Sequence, residues 1–100
     1  MPIKIRDAER QIQTKFGFES AAERSSDHRW YKLRLEGLPL ISTKFSHSKG
    51  DLTPMLEGKI ARQLRVTTAF FRDMIRCNRA AQDYERQVRE APVPPWDVRF

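Results

Sequence analysis

The chain has 100 residues, 39% of them hydrophobic, with a formal net charge of +6 and a pI of about 10.0. This length suits one domain with a modest core, and the positive charge favours a polyanionic partner: nucleic acid, an acidic protein or an anionic membrane surface. No apolar run could span a bilayer, Met1-Pro2-Ile3-Lys4 lacks the apolar stretch of a signal peptide, and the single Cys77 excludes a disulfide framework or a cysteine-based zinc site, so a cytoplasmic protein with no membrane association is expected.

Residues 5–15 read as a helix. Ile5, Ala8, Ile12 and Phe16 recur at helical spacing, while Arg6, Glu9, Arg10, Gln13 and Lys15 are expected to face away. Asp7 and Glu9 complement the dipole at its start, and Gly17 ends it. Residues 18–24 could be strand or loop, since alanine and glutamate disfavour a strand. Ser25-Ser26-Asp27 is a turn by composition and leads into a hairpin over residues 27–50.

The hairpin holds both histidines, His28 and His47. With Glu36-Gly37 as a two-residue loop, Leu35 pairs with Leu38 and His28 with Phe45. His28, Phe45 and His47 then share one face, the two histidines as diagonal neighbours about 7–8 Å apart. A Gly37-Leu38 loop would set the histidines directly opposite each other, and a three-residue loop would separate them onto opposite faces. In the first register one face carries Tyr31, Leu33, Leu35, Leu38 and Leu40 and is assigned to the core. The other carries His28, Trp30, Lys32, Arg34, Ile41, Thr43, Phe45 and His47. Its cations, rings and histidines suit an anionic ligand with flat rings, and a solvated face with a small Trp30/Ile41/Phe45 cluster is the plainer alternative.

Beyond the hairpin, Thr53-Pro54 is a helix start, with Met55, Leu56, Ile60 and Leu64 as an apolar stripe and Lys59, Arg62 and Arg65 away from it. A second helix starts at Thr67 and buries Phe70, Phe71, Met74 and Ile75. Asn78 can cap a third, on which Ala81, Tyr84 and Val88 repeat. Residues 91–100 form a Pro-rich extended tail that Trp96 could dock. The domain proper is therefore placed at residues 1–90.

The order of helix, weak strand, turn with histidine, two strands and helix resembles the HicA family of small bacterial toxins. Phe16-Gly17-Phe18 is similar to that family's Gly-Phe helix end, and Ser26-Asp27-His28 stands where it has Gly-Ser-His. TKFSHSKGDL followed by KIARQLRVTTAFF also looks like small HicA-related proteins, so the resemblance covers roughly residues 3 to 76. Ser26 replaces the family's Gly and Asp27 its Ser, and His47 is not part of the family motif. The resemblance implies an α+β, double-stranded-RNA-binding-like α-β-β-β-α fold, here with extra C-terminal helices on a three-stranded antiparallel sheet. It also implies a metal-independent endoribonuclease that cleaves mRNA, needs no cofactor and is neutralised by a cognate antitoxin protein. The family's catalytic histidine carries over to His28.

Cleavage of RNA by its own 2′-hydroxyl needs a base, an acid and cations for the phosphorane charge. Histidine serves either proton role near neutrality, so His28 and His47 are the candidate pair. Arg29, Lys32, Arg34 and Lys44 are candidate phosphate contacts, and Trp30 a stacking platform. Neither histidine stands at metal-ligand spacing, and Cys77 reads as a buried, inert thiol. Two other functions fit the same residues: a non-catalytic RNA- or DNA-binding module, and a protein-interaction adaptor acting through the tail.

Overall fold

The computed structural model describes residues 3–21, 28–46, 50–76 and 79–93. Helix α1, Ile5–Thr14, forms on the expected stripe, with Ile5, Ala8 and Ile12 buried. A short bridge between Lys4 and Asp51 ties its start to a later segment, with Ile5 N donating to Gly50 O at 2.9 Å and Leu52 N to Ile3 O at 2.7 Å. Gly17 follows the helix at φ +77°, a conformation that side chains with a Cβ resist. Glu9 does not face solvent. It is buried, because it sits four residues after Ile5 and seven before Phe16, on the stripe itself.

Three strands follow: β1 at Glu19–Ala21, β2 at His28–Leu33 and β3 at Ile41–Ser46. They form an antiparallel sheet in the order β1-β2-β3. The register corrects the expected one. Ser46, not Phe45, lies opposite position 28; Arg29 pairs with Phe45, Trp30 with Lys44, and Leu33 with Ile41. The turn itself is as expected: Leu38 N donates to Leu35 O at 3.0 Å, and Gly37 takes φ +80° at the position that requires it. The slip arises on the second arm, where residues 38–40 oppose only residues 34–35. Pro39 has no N–H to give to a ladder. The carbonyls of Pro39 and Leu40 accept instead from Arg65 Nη2, at 3.1 and 2.9 Å.

One residue of slip inverts every side chain of β3. Ile41, Thr43 and Phe45, expected on the open face, are buried with Tyr31, and Leu40, expected in the core, is 42% exposed. Thr43 Oγ1 donates to the buried Gln63 Oε1 at 2.7 Å, and the Tyr31 and Phe45 rings meet edge to face.

Helix α2, Pro54–Gln63, and helix α3, Thr68–Ile75, start as the sequence indicates. Thr53 Oγ1 accepts from Leu56 N at 3.2 Å, and Thr67 Oγ1 from Phe70 N at 3.1 Å. Two expectations for α2 and its end fail. Met55 is 66% exposed, one position off the buried row of Ile60 and Leu64. Arg65 is buried rather than turned away, at φ 67°, where it makes the tight link to α3. Helix α4, Ala81–Glu90, begins with Ala80 N donating to Asp83 Oδ2 at 2.8 Å. Cys77, Asn78 and Trp96 lie outside the described residues.

The architecture is α+β, in chain order α1-β1-β2-β3-α2-α3-α4, with the helices on one side of the sheet. A single buried cluster joins α1, the inner sheet face and the three later helices. Among the described residues no helix is long and apolar enough to cross a membrane.

Candidate nucleic-acid interface

The outer face of the sheet is a ladder of polar and aromatic positions. Across its middle, Trp30 on β2 lies beside Lys44 on β3, with Lys44 Nζ 5.4 Å from the ring centroid. One step along, Lys32 is flanked by Glu19 on β1 and Ser42 on β3. Alternation of strand residues puts Trp30 and Lys32 on the same side. Lys32 is exposed and takes part in no ion pair among the described residues. The Trp30–Lys44 contact sets a cation over a flat ring, so that a stacking surface and a charge able to meet a phosphate stand together.

Beyond the end of β2 the face runs into a cleft of ≈ 310 Å³ lined by Gly17, Glu19, Lys32, Leu33, Arg34 and Leu40. Arg34 is exposed there, also without an ion pair among the described residues. Thus Trp30, Lys32 and Lys44 share the outer face, and Arg34 stands at its end.

Arg29 does not join them. It alternates to the inner side, where its Nε donates to Glu9 Oε2 at 2.6 Å and its Nη2 to Glu9 Oε1. Tyr31 Oη donates to Glu9 Oε2 at 2.6 Å. The hydrogen bond and charge of Glu9 raise the Arg29 pKa. Burial first, then its bond to Glu9, pushes the Tyr31 hydroxyl up to about 12. This cluster bolts α1 to the first half of β2. It is missed when Glu9 is turned outward with the other charged residues of α1; the one signal that could have found it is the helical spacing of Glu9 with Ile5 and Phe16.

His28 opens β2, paired in register with Ser46, at the opposite end of the ladder from the cleft. His47 lies outside the described residues. The observed register belongs to the odd-loop alternative, which removes the shared His28–Phe45 face from which the histidine pair was inferred. Among the described residues no three His, Cys, Asp or Glu side chains stand together as a metal site.

Compared with protein-family models, with curated proteins and with solved structures, the chain finds no match.

Proposed function

We propose that the chain is an RNA-binding protein that cleaves its ligand, a HicA-like endoribonuclease of a toxin–antitoxin pair, with a double-stranded-RNA-binding-like fold and a cognate antitoxin that covers the basic face. The observation that carries this is the outer sheet face. It sets Trp30, Lys32 and Lys44 in a row that starts at position 28. The element order, helix then three strands then helix, supports the family reading. In the reaction a base takes the proton of the 2′-hydroxyl, which attacks phosphorus. The bond to the 5′-oxygen breaks, and an acid returns a proton to that oxygen. His28 serves one of these proton roles, and Lys44, opposite Trp30 on the same face, balances the phosphorane charge, while Lys32 holds the strand further along.

A second function uses the same face without chemistry. The Trp30–Lys44 platform would bind single-stranded nucleic acid by stacking and charge alone. The two are separated by incubating the purified chain with mixed single-stranded RNA in EDTA, wild type against His28→Ala. The endoribonuclease requires cleavage by the wild type and none by the variant. Binding that survives His28→Ala, falls with salt and weakens in Lys32→Ala or Lys44→Ala, with no cleavage by either protein, identifies the binding module.

A further inference from the structure

The cleft at the end of the outer face has a composition of its own. Two cations without ion pairs among the described residues, Lys32 and Arg34, stand with the exposed carboxylate of Glu19 and the apolar side chain of Leu40, 42% exposed. Gly17 borders it at φ +77°, and a Cβ built there would meet nothing within 4 Å. The wall beside the glycine is therefore open enough for a flat ring to lie close to the backbone. The volume of ≈ 310 Å³ is at the small end for ligand sites, which suits one nucleotide rather than a larger molecule.

We propose that this cleft holds a single nucleotide of the RNA strand and selects guanine over uracil; the inference rests on the RNA reading above. A carboxylate offers only acceptors. Guanine's Watson–Crick edge presents two adjacent donors, N1–H and the 2-amino group, which match the two oxygens of Glu19. Uracil presents one donor between two carbonyl oxygens, and these oppose a carboxylate. Arg34 and Lys32 take the phosphate, Arg34 as a fork. Glu19 also makes the cleft unsuitable for a bare inorganic anion, which would meet its charge. Trp30 lies two residues from Lys32, about 7 Å along the strand. That is comparable to the step between adjacent nucleotides of an extended chain. The base on Trp30 and the guanosine in the cleft are then neighbours, and the strand continues past Trp30 to His28.

The test is an amide-resolved NMR titration of the full chain with guanosine monophosphate, uridine monophosphate and inorganic phosphate, together with binding of a uridine-only oligonucleotide. Guanosine monophosphate is expected to shift the amides of Gly17, Glu19, Arg34 and Leu40, with uridine monophosphate binding more weakly by about tenfold or more, as one net hydrogen bond to a carboxylate requires. Glu19→Gln should remove the preference, and Arg34→Gln should weaken both nucleotides. Both positions are exposed, so the fold should persist. Equal binding of both nucleotides, or of phosphate alone, overturns the proposal. If the oligonucleotide binds in a salt-sensitive way and guanosine monophosphate leaves the cleft amides unmoved, the cleft proposal falls and the RNA reading stands. If none of them binds, both fall.

Discussion

The Glu9 carboxylate accepts hydrogen bonds from Arg29 Nε, Arg29 Nη2 and Tyr31 Oη. It is only 8% exposed, so each donor replaces water that the carboxylate has lost. Tyr31→Phe removes one charge-assisted bond and is expected to cost about 1.5–3 kcal/mol at neutral pH. The same bond has a pH signature. Tyr31 has an ordinary value of 10.0 and is pushed up to about 12 in the folded chain. Below pH 10 both states hold the proton and the stabilisation is complete. Between about 10 and 12 the unfolded chain loses that proton while the folded chain keeps it, so stability declines across this window. Tyr84, buried and also raised, adds to the decline. Urea midpoints measured from pH 8 to 12 should therefore fall less steeply in Tyr31→Phe than in wild type. Equal slopes would show that Tyr31 is not held in this way. At this scale the sequence was half legible. Glu9 was expected to face solvent with the other charged residues of the helix, although its spacing with Ile5 and Phe16 is that of the buried stripe, and its partners lie 20 and 22 residues away along the chain.

The hairpin and the α2–α3 link are one mechanical unit. Gly37 and the turn around it could be read from local chemistry. The register could not, because it depends on how the second arm accommodates Pro39. Arg65 reaches across to hold the Pro39 and Leu40 carbonyls, and Arg89 Nη1 on α4 donates to Glu36 O at 2.8 Å. Arg65 makes this contact from a left-handed backbone at φ 67°, normally unfavourable for a residue with a Cβ. Arg65→Ala loses the two bonds and keeps the strain. Arg65→Gly loses the bonds and relieves the strain. The glycine variant should therefore be the more stable of the two by about 1 kcal/mol, the usual size of the left-handed penalty. Chemical denaturation of both variants checks this, and an alanine variant as stable as the glycine one would refute the account. Both should fall below wild type.

Helix α4 belongs to the core rather than being appended to it. Tyr84 and Val88 are each 1% exposed. The Tyr84 ring meets Phe16 edge to face at 5.8 Å and Phe18 at 6.1 Å, and its hydroxyl donates to Leu64 O at 3.0 Å. After the helix, Val93 N donates to Arg65 O at 3.0 Å, returning the chain to the α2–α3 link. Helix α4 thus packs on the segment that leaves α1, through Phe16 and Phe18, a contact that a chain of this size cannot spare. Tyr84→Ala is expected to destabilise by about 3–5 kcal/mol, as large aromatic truncations in cores do. Thermal melting followed by circular dichroism measures it. A loss below about 1 kcal/mol would mean that α4 is dispensable, since that is less than the range for such truncations.

Local chemistry was enough for the starts of α2 and α3 at Thr53 and Thr67, the glycine after α1, the turn at Gly37, the buried side of α3 and the α+β class. Each depends on residues within a turn or two of one another, where capping and periodicity act. The register of β3, the inward turn of Arg65 and the capture of Arg29 by Glu9 depend on residues some twenty or more positions apart. Strand pairing constrains a side chain only to one of two faces, and one residue of slip exchanges them. Which face β3 shows to solvent was therefore settled by Pro39 and by the grip of Arg65 on the far side of the fold, and neither leaves a periodic signal along the chain.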